Sequence, residues 1–451
     1  MADRLRHYSQ DVMWALDADT GPWEPYVRGL LLGLGFILFV ITLMSILRTM
    51  VIPQTTPSVI YALILRGTDA TFNTVARPMR SYYARNRLLA WSGPMGIVAA
   101  LFLWLLLFLA TYTLMIFGIG DGSIQAAALQ AGSGLLTLGL AGTPSESQTM
   151  IDFLAAMTGP AVIALLIGFL PTLYQAYLAR EQRVLLSSEI TGAPAWGPEL
   201  IVRLHMLNHS DGSGEPYTNW VGWCAQTRLT QTLYPALNRF RSPVATRNWI
   251  ISLLAIMDSA TIQIAATSKT AKPELTSFLE QSTQALLSIY ASEIDMDEVI
   301  RFHRLKRRVR VIMEVFGASP ADETHRPMTI HPFPGVQPSV VAVAQAITLD
   351  NVRALLGEAG TFTVHYGSQE SSVTRADFGE AMDYIRKSGV TTVRSDDDAY
   401  EIFRHARSRY EPAAYYLAER FSAPAAPWSG PRRPTTPTLS PAAAADRLPP
   451  E

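Results

Sequence analysis

The chain has 451 residues, of which 49% are hydrophobic and 17% are charged, and its formal net charge at pH 7 is -1. About a quarter of the residues in a typical soluble domain are charged, so this composition favours a membrane protein. The near-zero net charge excludes a globally basic nucleic-acid-binding protein, and the single cysteine excludes an intrachain disulfide and a cysteine-built metal site.

An N-terminal tail, residues 1–26, precedes the first of three apolar stretches that contain no charged side chain. The tail lacks the basic start and the small-residue cleavage site of a secretory signal, so we interpret the first stretch as a retained helix. Each stretch has the roughly 20 residues that a helix needs to cross a bilayer. The sequence therefore predicts an all-α integral membrane protein with a transmembrane region at 27–180. Its three predicted transmembrane helices are residues 27–48, 93–118 and 154–179.

Arginine placement predicts the orientation of these helices. Residues 48–92 contain six arginines and one acid, Asp69, whereas residues 118–157 contain no lysine or arginine. Lysine and arginine are enriched in the cytoplasmic segments that flank membrane helices. We therefore expect residues 48–92 and the chain after Arg180 to be cytoplasmic, and the N-terminal tail and residues 118–157 to be extracytoplasmic.

The second half of the chain is predicted to be a helical cytoplasmic domain, residues 181–422, because charges return and apolar residues recur at helix spacing. Residues 248–266 are apolar but include Asp258 and Gln263, so we expect a buried helix of this domain there rather than a fourth transmembrane helix. Residues 423–451 are rich in Pro, Ala, Ser and Thr and are predicted to be a disordered tail, because they cannot bury a core.

Smaller features of this domain indicate structure rather than chemistry. Thr361–His365 is predicted to be a short strand, and Ser395 followed by Asp396–Asp398 is typical of a helix start. A basic helix face at 304–310 is expected to be solvated, with an anionic lipid or nucleotide-like ligand as the alternative. No metal-ligand spacing, phosphate-cradling loop or dinucleotide fingerprint is present in the sequence. We therefore expect no enzyme, no cofactor and no bound metal, and the ligand of the domain is unknown.

The stretch between the second and third predicted transmembrane helices contains the candidate functional site. Residues 123–136 are mostly apolar and open with a serine cap, and Thr137–Pro144 are mostly small. This pattern favours a pore helix and filter, at 123–142, that dip into the bilayer and return. Non-helical backbone survives at membrane depth only where protein or a water-filled cavity surrounds it, which four copies around an axis would supply. Their carbonyl oxygens and the Thr137 hydroxyl would then replace the water shell of a cation.

The order outer helix, pore helix, Thr-x-Gly-x and inner helix, over Gly93–Arg183, resembles the pore module of the two-transmembrane potassium-channel superfamily, whose filter reads Thr-Val-Gly-Tyr-Gly. The runs Ser133–Ala141, Phe169–Tyr177 and Arg180–Leu186 are also similar to a group of bacterial membrane proteins described as potassium-channel-like. The resemblance implies a homotetramer in the bacterial plasma membrane that conducts monovalent cations, above all potassium. The aligned filter positions are Thr137, Leu138, Gly139, Leu140 and Ala141.

The filter departs from the family pattern at two positions. Ala141 stands where the family has a glycine that permits a positive φ, and Leu140 lacks the aromatic ring that the family has there. Gly142 offers a permissive position one residue later, with a shifted register. The sequence therefore supports a pore more strongly than it supports potassium selectivity.

Two further sets of residues are assigned roles in the pore. Acidic residues near the filter are predicted to attract cations to the outer mouth by their charge, with a solvated acidic loop as the alternative. They are Asp121, Glu146 and Asp152. Glycine and proline residues in the third transmembrane helix are predicted to form a gate hinge, although both residue types are common in membrane helices. They are Gly159, Pro160 and Pro171.

The sequence leaves two functions of different class open. The first is a potassium-channel-like cation channel subunit, whose tetrameric pore is built from residues 123–142 and is regulated by the cytoplasmic domain. The second is a non-conducting membrane sensor or scaffold, in which the helices anchor that domain and residues 123–144 are an ordinary external loop. Three helices are too few for the inverted-repeat folds of secondary transporters.

Overall fold

The computed structural model describes residues 24–52, 58–120, 122–140, 146–192, 194–207, 215–267, 272–316 and 371–430. These residues are largely helical, with no strand among them, and they form two compact units. The N-terminal unit comprises the described residues up to Ala179 together with Thr230–Arg241. The C-terminal unit comprises the described residues of 180–229 and those from Ser242 onward.

The N-terminal unit is built from long apolar helices and shorter helices between them. Its helices are α1 Glu24–Met50, α2 Val59–Ala76, α3 Tyr82–Leu89, α4 Ser92–Ile119, α5 Ile124–Leu135 and α6 Glu146–Thr191, the last of which continues into the C-terminal unit. A short 3-10 helix, Pro235–Arg239, also belongs to this unit. The arginine-rich residues 48–92, for which the sequence predicted only an orientation, thus contain the two helices α2 and α3.

Among the described residues, four helices are long and apolar enough to cross a membrane, by length and composition. Those of the N-terminal unit are Tyr26–Met50, Tyr82–Ile119 (α3 joined to α4) and Glu146–Thr191. Only 22%, 33% and 17% of their most apolar 18-residue stretches is buried, so most of this apolar surface lacks a protein covering. The fourth, Trp249–Thr267, is buried over 83% of that stretch inside the C-terminal unit.

Helix α6 extends beyond the predicted helix 154–179 at both ends, because hydropathy marks only the apolar part of a helix. Its first residue is Glu146, whose negative charge is favoured at the positive N-terminus of a helix. Pro160 and Pro171 lie inside the helix without ending it, although each proline removes one backbone hydrogen-bond donor. The described bounds of α1 and α4 are close to the predicted 27–48 and 93–118.

Buried hydrogen bonds connect three helices in the core of the N-terminal unit. Trp104 of α4 is fully buried, and its Nε1 donates to Ser45 Oγ of α1 at 3.1 Å. Ser45 Oγ lies 2.8 Å from the hydroxyl of Ser58, which caps α2 by accepting from the backbone N–H of Tyr61. The Tyr61 ring stacks on Trp104 with centroids 6.1 Å apart. Because buried polar groups are costly without partners, this chain of hydrogen bonds fixes α1, α2 and α4 against one another.

The C-terminal unit packs its helices around a central one. Its helices after α6 are α7 Gly197–Met206, α8 Glu215–Leu233 (which enters the N-terminal unit at Thr230), α9 Trp249–Ile262, α10 Pro273–Phe316, α11 Arg375–Lys387, α12 Asp396–Arg407 and α13 Glu411–Arg420. The predicted helix start at Ser395 is confirmed, since its hydroxyl caps α12. The predicted strand Thr361–His365 and residues 431–451 of the predicted disordered tail lie outside the described residues. Residues 423–430 of that tail are described, with Ala423 and Ser429 buried and the Trp428 carbonyl accepting from Arg407. The prediction of disorder from residue 423 is therefore wrong for this part, because these residues pack on the C-terminal unit.

Helix α9 is the central helix of the C-terminal unit. Every residue of α9 is buried, and the helix packs against α7, α10, α12 and α13. Asn248 caps its N-terminus by accepting from the backbone N–H groups of Ile250 and Ile251. The prediction of a buried helix, made from Asp258 and Gln263, is therefore confirmed.

A buried ion pair between α9 and α12 holds this core together. Arg407 is fully buried, and its Nε and Nη2 donate to the two carboxylate oxygens of Asp258 at 2.9 and 3.2 Å. The Tyr410 hydroxyl donates to Asp258 at 2.8 Å, and Glu411 lies 3.0 Å from Arg407 Nη1. Burial alone would lower the pKa of Arg407, but attraction by Asp258 and Glu411 raises it well above its usual range, so the guanidinium stays charged.

Replacing Arg407 by methionine should destabilise the C-terminal unit, because the carboxylate of Asp258 would remain buried without its counter-charge. Breaking a buried pair in this way costs about 3–5 kcal/mol. Urea unfolding of the detergent-purified protein, followed by tryptophan fluorescence, measures the loss. The matched control is Arg386→Met, which removes a half-exposed pair with Asp396 and should cost less than about 1 kcal/mol. Equal losses in the two variants would contradict the assignment.

Candidate functional site

Helix α5 packs closely against its two long neighbours, α4 and α6, because small residues face them. A Cβ built on Gly132 would lie 3.5 Å from the side chain of Leu109 in α4. A Cβ on Gly134 would lie 3.4 Å from that of Ala155 in α6. The predicted serine cap is confirmed, since Ser123 Oγ accepts from the N–H of Ala126 at 3.3 Å. The sequence thus forms the predicted short helix and brings its small residues against α4 and α6.

The turn after α5 directs its N–H groups back to the end of the helix. The N–H of Thr137 donates to the Gly134 carbonyl at 3.0 Å, and that of Leu138 donates to the Ser133 carbonyl at 2.8 Å. The N–H of Leu140 donates to the Ser133 hydroxyl at 2.8 Å. In a trans peptide the carbonyl points opposite to the N–H of the next residue. The carbonyl groups of Leu136, Thr137 and Gly139 therefore point away from α5.

Two residues of this turn have a positive φ. Thr137 has φ of 54° and Gly139 has φ of 66°, whereas Leu138 between them is not among the described residues with positive φ. In an anion-binding nest, an alternation of backbone conformations turns successive N–H groups toward one side. An alternation at this turn can in the same way turn carbonyl groups toward one side, where they would attract a cation. Glycine adopts a positive φ freely, but a β-branched residue such as Thr137 does so at a cost. Strained backbone of this kind clusters at functional sites.

The side chains at the predicted filter differ in their surroundings. The Thr137 hydroxyl lies 2.8 Å from the Leu136 carbonyl oxygen, so a hydroxyl and a carbonyl oxygen are adjacent. Leu138 and Leu140 are 56% and 68% exposed. No heavy atom would lie within 4 Å of a Cβ on Gly139, so its φ, and not a lack of space, is what requires glycine there. Ala141 lies outside the described residues.

The two described residues of the predicted outer mouth lie on α6 but differ in their surroundings. Glu146 is the first residue of α6, and Asp152 lies six residues further along that helix. Asp152 Oδ2 accepts from Gln130 Nε2 of α5 at 2.8 Å, and Oδ1 is buried. Asp152 is therefore a contact between α5 and α6 and does not belong to a solvated loop. Asp121 lies outside the described residues.

Gly159 of the predicted hinge is the point where the end of α5 meets α6. A Cβ at Gly159 would lie only 1.9 Å from the carbonyl oxygen of Leu135, so no side chain fits there without a shift of the backbone. Pro160 follows directly, and Pro171 lies three turns further along the continuous helix. The gate hinge at these positions stays a prediction.

Two polar contacts that support the site were not predicted from the sequence. Ser133 lies in the run Ser133–Ala141 that resembles a filter, but its hydroxyl was not predicted to accept from the N–H of Leu140. The Tyr112 hydroxyl of α4 lies 2.6 Å from that of Thr158 in α6, next to Gly159. Ser133 lies three residues after Gln130, whose side chain donates to Asp152, so the two residues share one face of α5. That spacing is a local signal that could have marked Ser133; the contact of Tyr112 with Thr158 has no such signal.

The turn after α5 offers uncharged oxygen atoms as ligands for a cation. The described residues contain no cluster of His, Cys, Asp or Glu that could hold a metal ion. The oxygens available at the turn are backbone carbonyls and one hydroxyl, which suit weakly held alkali cations in a filter. The carbonyl end of α5, with a partial negative charge of about half an elementary charge, lies beside them and favours a cation.

Comparisons of the chain with protein-family models, with curated proteins and with solved structures find no match.

Replacing Gly159 by alanine should separate α5 from α6, because the added Cβ would collide with the Leu135 carbonyl. Overpacking of this kind typically costs about 1–3 kcal/mol, so we expect a lower thermal unfolding midpoint for the detergent-purified protein. Gly168→Ala is the matched control on the same helix, since nothing lies within 4 Å of its added Cβ and alanine favours helix. If Gly168→Ala lowered the midpoint as much, the packing argument would be wrong.

Proposed function

We propose that the chain is a subunit of a cation channel, whose selectivity filter begins at Thr137. The observation that carries this proposal is that the N–H groups of Thr137, Leu138 and Leu140 donate back to the end of α5. The carbonyls that precede them in the chain, those of Leu136, Thr137 and Gly139, therefore point away from that helix. Carbonyl oxygens on one face replace the water shell of a dehydrated cation. The Thr137 hydroxyl adds a further oxygen at the helix end of the filter.

A pore of this kind requires several copies of the chain. In one copy, Leu138 and Leu140 are exposed, and the Leu136, Thr137 and Gly139 carbonyls face away from α5. At membrane depth such backbone needs protein or a water-filled cavity around it. We therefore propose a homotetramer in which four copies of residues 123–142 surround one axis. The carbonyl ends of four α5 helices then point toward the ion path and favour positive ions.

The contacts behind the turn give the filter a fixed position. Gly159 admits the end of α5, Asp152 holds Gln130, and Ser133 holds the N–H of Leu140. Donors and acceptors that are held in place need no reorganisation when an ion enters. We propose potassium as the principal ion, with weaker discrimination than in filters that read Gly-Tyr-Gly, because Leu140 supplies no aromatic ring and Ala141 replaces a glycine.

Replacing Gly139 by valine should abolish the current, because a β-branched residue strongly disfavours φ of 66° and the carbonyls would turn. The measurement is single-channel recording of the purified protein in a planar bilayer. Gly33→Val in α1 is the matched control, since Gly33 also has open space around its Cβ but no positive φ. In the same experiment, Thr137→Val should change the bi-ionic reversal potential for potassium against sodium without removing the current.

Unchanged currents in both filter variants, or no cation current from the parent protein, would reject the channel. A parent protein that inserts in membranes and shows no current would instead fit the non-conducting sensor or scaffold.

We further propose that the chain lies in the plasma membrane with its N-terminus outside and with residues 48–92 and the C-terminal unit inside. Three helices of the N-terminal unit with largely unburied apolar surface support a membrane location. The arginines of residues 48–92 favour the cytoplasmic side, and residues 118–157 contain none.

Single cysteines introduced on the two sides of the membrane should react differently with an impermeant thiol reagent in intact cells. Native Cys224 gives little background, because it is fully buried and burial raises the pKa of its thiol. Gly122→Cys, before α5, should be labelled, whereas Arg80→Cys, between α2 and α3, should react only after the cells are opened. Both positions are exposed in the structure. If only Arg80→Cys were labelled in intact cells, the orientation would be opposite to the one proposed.

A further inference from the structure

An arginine near the start of α1 faces the interior of the N-terminal unit. Arg28 is half-buried, whereas its neighbours Val27 and Leu30 are 43% and 68% exposed. The charged side chain therefore lies against protein, and the apolar side chains around it point outward. In membrane helices, ionisable residues that face other helices are costly to place and pair with one another or with backbone carbonyls. Such a residue marks a candidate functional position.

The guanidinium of Arg28 binds the carbonyl end of α4. Its Nη1 donates to the Phe117 carbonyl at 3.2 Å and also to the carbonyl of Gly120, the residue that follows the helix. The guanidinium carbon lies 4.9 Å from the centroid of the Phe117 ring, which is within the range of a cation–π contact. The carbonyl end of a helix carries a partial negative charge. Arg28 therefore compensates this end of α4.

Two glycines bring the backbones of α1 and α4 together beside this contact. A Cβ built on Gly118 of α4 would lie 2.8 Å from the Arg28 carbonyl oxygen. A Cβ on Gly35 of α1 would lie 3.1 Å from the Thr111 carbonyl oxygen. Small residues of this kind let membrane helices approach closely. The backbone of Arg28 is thus held on α4 by packing, in addition to the hydrogen bonds of its side chain.

Gly120 is the residue at which the chain leaves α4 for α5. It is buried, and Ser123, which caps α5, follows three residues later. A Cβ on Gly120 would collide with Gln148 Nε2 in the first turn of α6. The residue that Arg28 holds therefore lies between α1 and the start of α6. The other end of α5 rests on the backbone of α6, so α5 is held at both of its ends.

We propose that Arg28 is a positioning residue for the selectivity filter, a role that rests on the proposed channel function. By holding the Gly120 carbonyl, Arg28 fixes where the segment leading to α5 begins, while α6 fixes where α5 ends. The turn after α5 then keeps one direction. Arg28 belongs to α1, a helix that the pore module of outer helix, pore helix and inner helix does not contain. The N-terminal helix thereby acts on conduction and is more than a membrane anchor.

Single-channel recording of the full-length protein in planar bilayers tests this role. Arg28→Gln removes the charged donor of the two carbonyls and should lower the open probability about tenfold, as for the loss of one charged hydrogen bond. Arg28→Lys keeps a charged donor and should restore most of the open probability. The matched control is Arg48→Gln, since Arg48 is an exposed arginine in the last turn of the same helix. It should change the open probability less than about twofold.

A purely electrostatic role of Arg28 predicts a different result. A positive charge near the outer mouth would repel cations, so its removal would raise the single-channel conductance. At about 1 M potassium chloride, where the screening length is roughly 3 Å, that effect would vanish, whereas the loss of open probability should persist. Phe117→Leu provides a second variant that leaves every charge in place. It removes the ring below the guanidinium and should lower the open probability in the same direction as Arg28→Gln, by a smaller factor.

Hydrogen exchange of the detergent-purified protein tests the contact without a current. Arg28→Gln should speed exchange at the end of α4 and in the first turn of α5, and Arg48→Gln should not. Exchange in Arg28→Gln equal to that of the parent would overturn the proposal. In a conducting parent, the proposal is also overturned if Arg28→Gln has the open probability of Arg48→Gln, and the channel itself would then stand. A parent without any cation current would reject the channel and, with it, this role of Arg28.

Discussion

The carbonyl oxygen of Leu135 lies where a Cβ on Gly159 would be only 1.9 Å away, so the end of α5 rests directly on the backbone of α6. That approach determines where the turn after α5 begins. Once α5 ends there, its last residues accept the N–H groups of Thr137, Leu138 and Leu140. Peptide planarity then leaves the opposite carbonyls facing away from the helix. The direction of the candidate ligands thus follows from one position on α6 that has no side chain.

Features with a local signal could be predicted from the sequence. Apolar stretches marked α1, α4 and the middle of α6, and the hydroxyls of Ser123 and Ser395 marked the starts of α5 and α12. Asp258 marked α9 as a buried helix because an acid in an apolar run needs a partner. That its partner is Arg407, 149 residues away, has no local signal, since it arises from the packing of α9 against α12.

The candidate site shows the same limit. The resemblance to a filter indicated Thr137 and Gly139, and the two residues have positive φ. Hydropathy predicted neither the length of α6, whose ends are polar, nor the contact of Asp152 with Gln130. An acid near the end of a membrane helix looks the same in sequence whether it faces solvent or another helix. Only the position of α5 beside α6 distinguishes the two cases.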